Sequence, residues 1–310
     1  MAAIELPPGV ALFERGWLSS NNLLLRDPQG TGPTALVDSG YCTHATQTLA
    51  LVGQALGEAP LERLLNTHLH SDHCGGNAAL QQQYPQLHSA IPPGQAQAVR
   101  DWDADALSYA PTGQLCPRFG IDGLLQPGQE VALGAGRWQV HAAPGHDPHA
   151  VLLFEPAWGL LVAGDALWQN GFGVVFPELE GESAFAEVGA SLDLIERLAP
   201  RLVVPGHGSV FDDVGPALER ARRRLEGFVA APRKHALYAA KVLLKFKLLE
   251  LQSIAEVDLL AWAQRTPYFQ TLHARYFADA GAIAAWGEAL VEDLLRSGAA
   301  AREGALLVNR

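Results

Sequence analysis

The residues most able to do chemistry are crowded into one run, Thr67-His68-Leu69-His70-Ser71-Asp72-His73-Cys74-Gly75-Gly76-Asn77. Three imidazoles and a carboxylate fall within six positions. Imidazole nitrogen and carboxylate oxygen are the donor types that hold zinc and similar borderline cations. Packed this closely without a cation, they would repel one another or stay unpaired. Histidines at i and i+2, followed by an Asp-His pair, can address two neighbouring ions. Gly75 and Gly76 let the backbone pass close to such a site. Further donors stand singly: His146 in Ala143-Pro144-Gly145-His146, Asp165 in Val162-Ala163-Gly164-Asp165, His207 in Pro205-Gly206-His207 and Asp38 in Leu36-Val37-Asp38-Ser39-Gly40. No Gly-x-Ser-x-Gly elbow is present, so a water nucleophile is expected rather than a side chain.

These donors need elements to position them. Short apolar runs read as strands at 22–26, 34–37, 61–66, 130–143, 150–154, 160–163 and 202–204. Helical patterns lie between them at 44–56, 77–83 and 183–198. Strands interleaved with helices predict an α/β layered domain. Each candidate donor then caps a strand, where an α/β sheet presents its active site. Residues 98–128 are long, aromatic and weakly periodic, the character of a lid or binding loop. From Val214 the pattern turns helical, at 216–228, 235–251, 254–264 and 279–295, and a short hairpin closes the chain. The expected organisation is a catalytic domain over 1–214 and a helical, winged-helix-like domain over 215–310.

Composition narrows the function classes. The chain has 310 residues and is 48% hydrophobic, too apolar for a disordered protein. No run reaches the ~18 apolar residues of a membrane span, and no basic residue precedes Arg15, so neither a membrane partner nor a secretory leader is expected. Three cysteines, Cys42, Cys74 and Cys116, make no disulfide framework, and a cytoplasmic setting follows. Cys74 reads as a small buried residue rather than a ligand. Residues 1–214 carry 8 basic against 23 acidic side chains, and residues 215–310 carry 14 against 10. So acidic a body is a poor partner for nucleic acid. The apolar stripes of the C-terminal helices permit a homodimer.

The ordered set Asp38, His68-x-His70-x-Asp72-His73, His146, Asp165 and His207 resembles the metallo-β-lactamase fold superfamily over roughly residues 10–215. The resemblance implies an αββα sandwich with a dinuclear metal site between sheet edges. It implies that His68, His70 and His146 hold one divalent ion and that Asp72, His73 and His207 hold a second. Asp165 would bridge them, and Asp38 would brace the ligand loop. Zinc is the first choice of metal, with iron or manganese as alternatives. The implied reaction is attack of a metal-bridging hydroxide on a carbonyl substrate, a thioester, ester or lactone, with Asp72 orienting the nucleophile and accepting its proton.

Within the superfamily the chain is most similar to the glyoxalase II-like group, through Gly164-Asp165-Ala166-Leu167-Trp168 and Gly171-Phe172-Gly173. It departs from that group at Val174-Val175-Phe176-Pro177-Glu178, apolar then acidic where a basic glutathione contact is usual. Acyl-homoserine lactonases of this fold place a tyrosine three residues after the bridging aspartate. Here that position is Trp168, whose indole N–H can still donate. Substrate contacts are expected from Trp102, Tyr109, Phe119, Trp168 and Phe172, which favour a small acyl or aromatic substrate. Two alternatives use the same metal set. One is a nuclease or phosphodiesterase gripping its substrate with Arg222, Arg223, Arg224, Lys241, Lys245 and Lys247. The other is a mononuclear iron enzyme like the persulfide dioxygenases of this fold.

Overall fold

Two β-sheets face each other across a shared apolar core. The computed structural model describes residues 4–310. The first sheet runs in chain order: β1 Val10–Phe13, β2 Asn22–Leu25, β3 Ala35–Val37, β4 Arg63–Leu65, β5 His88–Ile91 and β6 Gly123–Leu124. Its β1–β2 and β2–β3 pairs are antiparallel, and the pairs from β3 to β6 are parallel. The second sheet holds β7 Glu130–Leu133, β8 Gly136–Ala142, β9 Val151–Glu155, β10 Leu160–Gly164 and β11 Leu202–Pro205. Its order is β11-β10-β9-β8-β7, parallel only between β10 and β11.

The two-residue period of a strand assigns the layers. Leu23, Leu25, Val37 and Leu65 of the first sheet meet Trp138, Val140, Leu153 and Val162 of the second in one buried cluster. The alternate residues Leu24, Leu36 and Leu64 point the other way, into a cluster with Val52 and Leu56 of helix α1 (Ala45–Leu56). Helices α2 (Ser71–Cys74) and α3 (Asn77–Gln83) follow β4, and Leu80 of α3 joins that same outer cluster. On the second sheet, Leu152, Leu161 and Val203 alternate with the inward residues and are equally buried. Burying each of these leucines stabilises the fold by ~1.5–3 kcal/mol, so the arrangement is strongly specified. The expected αββα order is the one observed.

Some expectations are corrected. The stretch 130–143 is a hairpin rather than one strand, because Gly134 takes φ +57° in a two-residue turn between Leu133 and its partner Gly136. The stretch 98–128 is not a bare loop. It contains most of α4 (Ala96–Asp101), then α5 (Tyr109–Thr112) and β6. After α6 (Phe176–Glu180) and α7 (Phe185–Leu198) come the C-terminal helices: α8 Val214–Ala230, α9 Pro232–Leu251, α10 Glu256–Arg265, α11 Pro267–Tyr276 and α12 Ile283–Arg296. Helix α11 is not among the expected helices. Residues 254–255 lie in a strand, not a helix: β12 (Ser253–Ala255) pairs with β14 (Leu306–Asn309), which also pairs with β13 (Ala300–Glu303). The partner of β12 lies some fifty residues downstream, beyond the reach of any local periodicity.

The chain forms two compact units, one of residues up to Leu107 with Leu115–Leu225, the other of Ser108–Gln114 with Glu226–Arg310. The division falls inside α8. In the second unit Leu244, Leu259, Phe269, Leu272 and Leu290 are buried. Among the described residues no helix is long and apolar enough to cross a membrane.

Candidate metal centre

The turn after β4 is closed by a buried amide clamp. Asn77 Nδ2 donates to Asn66 Oδ1 at 2.7 Å, Ser39 Oγ donates to Asn77 Oδ1 at 2.7 Å, and Asn66 Nδ2 donates to the His73 carbonyl at 3.1 Å. The residues that bracket the turn thus hold its ends together. Gly76 sits so close to Ser39 that a Cβ there would lie 2.4 Å from its carbonyl oxygen, so only glycine fits.

This turn, with the ends of β10 and β11 and the segment after β8, brings all seven expected donors together. They form three overlapping groups: His68, His70 and His146; His68, His73 and Asp165; Asp72, His73 and His207. Within each group the donor atoms lie within 4.8 Å of one another. His146 Nε2 stands 2.8 Å from His70 Nδ1 and 3.3 Å from His68 Nε2. Asp165 divides its oxygens between two sides. Its Oδ2 is 3.4 Å from His146 Nε2, and its Oδ1 is 3.4 Å from His73 Nε2 and 3.9 Å from His207 Nε2. Asp72 Oδ2 accepts from His207 Nε2 at 3.0 Å.

The far side of each ring fixes which nitrogen faces the centre. Thr67 Oγ1 donates to Asp38 Oδ2 at 2.8 Å, so its lone pair receives the Nδ1–H of His68 at 3.1 Å. His73 Nδ1–H donates to Asp38 Oδ2 at 2.8 Å, and His146 Nδ1–H to the Val174 carbonyl at 2.5 Å. All three therefore turn Nε2, rather than Nδ1, toward a common volume. Asp38 also takes the Thr67 N–H at 2.9 Å, and it holds this post at φ +58°, a left-handed conformation uncommon for a residue with a side chain. His73 Nε2 is buried with no hydrogen-bond partner. Converging lone pairs and an orphaned buried nitrogen fit a divalent cation, which satisfies both.

Electrostatics agree. Burial, reinforced by the neighbouring imidazoles, holds His68 well below the usual histidine range and His70 at about 4. Burial alone would raise Asp72 and Asp165, yet the imidazoles of His73 and His207 outweigh it and keep both carboxylates ionised. Burial would also lower His73, but Asp38, Asp165 and Asp72 overcome it and hold it well above its usual value. A cation placed among these carboxylates competes with that proton, so metal binding releases it.

The aromatic candidates separate. Trp168 joins the centre, its Nε1–H donating to Asp165 Oδ1 at 3.1 Å. That N–H is thereby engaged by a donor of the centre rather than left open. Trp102 and Phe119 pair edge to face at 5.4 Å. Phe119 and Phe172 are buried, the latter under the Arg224 guanidinium. Tyr109 is buried within the second unit. Two further aromatics, absent from the sequence-based candidates, flank the centre. Trp17 stacks on the His207 ring at 5.3 Å and is 58% exposed. Phe176 presents its ring to His70 at 4.8 Å and to His146 at 5.6 Å. Phe176 belongs to the apolar stretch that replaces a basic contact, which is a usable signal. Trp17 sits in no motif. Asp147, 3.8 Å from His70 Nε2, is also absent from those candidates although it follows His146 directly. A cavity of about 710 Å³ lies by Arg63 and His88 at the starts of β4 and β5, so it faces away from the strand ends that carry the donors.

Residues 15–207 match the family model of the metallo-beta-lactamase superfamily. A hydroxyacylglutathione hydrolase of Fuscovulum blasticum is 30% identical over 191 residues, covering 61% of this chain and 63% of that protein. The chain thus spans less than two thirds of that relative's length. A metallo-beta-lactamase family protein from Thermus thermophilus is 22% identical at a TM-score of 0.56, covering 99% of this chain and 100% of that one, which extends the likeness in fold to the C-terminal unit. A protein solved in a di-iron-bound form is 25% identical at a TM-score of 0.51, covering 68% of this chain and 98% of that one. The chain belongs to the metallo-beta-lactamase superfamily.

Proposed function

We propose that this protein is a metal-dependent hydrolase of small acyl substrates, a thioester, ester or lactone, working with two divalent ions. The observation that carries the reading is Asp165, whose two carboxylate oxygens face two different sets of imidazoles. A single ion would need only one of those sets. His68, His70 and His146 would hold one ion, Asp72, His73 and His207 the other, with Asp165 shared. The hydroxyacylglutathione hydrolase relative supports the thioester class, and the di-iron neighbour supports a paired site. Zinc suits the nitrogen-rich set, and iron or manganese would fit the same donors.

Bound ions would supply Lewis acidity toward the carbonyl and lower the pKa of water toward neutrality. The chain's own residues do the rest. Asp72 is held as a carboxylate by His73 and His207, so Oδ2 is available to orient a water and take its proton. Asp38, through Thr67 and His73, keeps the imidazoles in the tautomer that faces the centre. Phe176 covers the His70–His146 side with apolar surface, which disfavours a charged group there. The nuclease alternative draws less support, because five of the six cations it needs are engaged elsewhere. Arg222 bonds Asp193 and Glu196, Arg223 pairs with Glu219, Lys241 with Asp293 and Lys247 with Glu250, while Lys245 is spent on three oxygens near the C-terminus.

The test is a metal count followed by a parallel assay. Elemental analysis should find two ions per chain. The loaded protein should cleave an S-acyl thioester, a lactone or an aryl ester, but not a phosphodiester. One ion per chain at saturation would reject the paired site, and cleavage of the phosphodiester alone would reject the acyl reading.

A further inference from the structure

Two of the three cysteines lie side by side at the edge of the metal turn. Cys74 Sγ and Cys116 Sγ are 3.8 Å apart, and both are in the thiol form. Cys74 ends α2 directly after His73 and is fully buried, its thiol donating toward the Leu69 and His70 carbonyls at 3.4 and 3.3 Å. Cys116 is partly exposed on the segment that follows Leu115. We propose that Cys74 and Cys116 are a redox pair that closes to a disulfide when the protein meets a low-molecular-weight disulfide such as glutathione disulfide.

Geometry assigns the roles. A disulfide needs sulfurs ~2.05 Å apart, so the pair must approach by less than the width of an atom. The Cys74 end cannot give, because the backbone beneath it is tight: a Cβ on Gly75 would lie 2.5 Å from both the Cys42 amide nitrogen and the Ser71 carbonyl oxygen. Movement therefore falls to Cys116 and its side chain. Exposure sets the order of events. The Cys116 thiolate attacks one sulfur of the oxidant and expels one thiol, leaving a mixed disulfide on Cys116. The Cys74 sulfur then attacks Cys116 Sγ, its proton leaving to solvent, and expels the second thiol. Two protein thiols lose two electrons and two protons, and the oxidant gains both as two released thiols. Cys42 stands apart from the exchange, its thiol donating to the Leu115 carbonyl at 3.4 Å. The bond would tie the turn carrying Asp72 and His73 to the segment at Cys116, closing a loop across α3, β5, α4 and α5.

The experiment uses the full chain with its metal. After incubation with glutathione disulfide and denaturation, the thiol count should fall from three to one, and peptide mapping should recover Cys74 linked to Cys116. Cys42→Ser should fall from two to none, Cys116→Ser should keep Cys74 as a thiol, and dithiothreitol should restore every thiol. The oxidised protein should unfold at a midpoint about 5 °C higher. A stable glutathione adduct on Cys116 with Cys74 still a thiol would overturn the proposal. So would a link through Cys42, a covalent dimer on a non-reducing gel, or a lowered midpoint, which would mean the bond forms only by distorting the native packing.

Discussion

The turn from Thr67 to Asn77 and the helices beyond Glu226 are both dense in titratable groups, yet they use them in opposite ways. In the helices and the hairpin that follows them, exposed cations pair with carboxylates. Arg233 meets Asp279, Lys241 meets Asp293, and Arg302 meets both Glu256 and Glu292. In the turn, imidazoles face imidazoles, with His70 Nδ1 and His146 Nε2 only 2.8 Å apart and His73 Nε2 left with no hydrogen-bond partner. Surface pairs of the first kind are worth at most ~1 kcal/mol each. Convergence of the second kind costs stability until a ligand relieves it. Charge density is therefore no guide to function here; unsatisfied convergence is.

The sharpest way to break this contrast is Asp72→Ala. It should lower kcat/KM by ~10³-fold or more while circular dichroism shows the fold intact. Near-normal turnover would remove Asp72 from the mechanism. Next is Asp38→Asn, which tolerates the left-handed backbone but withdraws the charge behind Thr67 and His73. Metal affinity, read by competition with a chelator, should fall ~10–100-fold. An unchanged affinity would mean that the ring tautomers need no carboxylate.

The metal-free protein should also lose stability in acid. His68 and His70 are held below their ordinary value, so between pH 6.5 and about 4 the unfolded chain binds more protons than the folded one. Stability then falls as pH falls through that window. His73, held above its ordinary value, acts oppositely but only above pH ~6.5. Differential scanning fluorimetry of the stripped protein should show the acid-side loss, and loading with metal should shift it to lower pH. A flat profile would contradict the picture of buried neutral imidazoles. A smaller effect is expected from Trp17→Ala, since the indole touches His207 but offers most of its surface to solvent. It should raise KM several-fold for aryl acyl substrates and leave kcat nearly unchanged. The least effect belongs to the answered side of the comparison. Lys241→Ala should cost under ~1 kcal/mol and move the unfolding midpoint by no more than about 2 °C.

Much of the centre was legible because metal chemistry restricts residue type and local spacing at once. His68, His70, Asp72 and His73 lie so close in the chain that no folding is needed to predict their meeting. Strand-ending Gly-Asp and Gly-His pairs added Asp165 and His207. The layered fold was legible for a related reason, since each strand's period-two pattern must find cover on both faces. Where elements depend on distant partners, the reading failed: β12 became a strand only through β14, and the turn at Gly134 split one apolar run into two strands.

What the sequence determined by itself was the set of donors, their order and the class of cation they suit, because those follow from atom types. Only the tertiary structure decided which nitrogen of each ring looks inward, that Asp165 faces two ways, and that Trp17 and Phe176 flank the centre while Phe119 and Phe172 are buried. It also placed Cys74 against Cys116. Each of these depends on side chains far apart in the chain, whose meeting is set by how two sheets close on a common core.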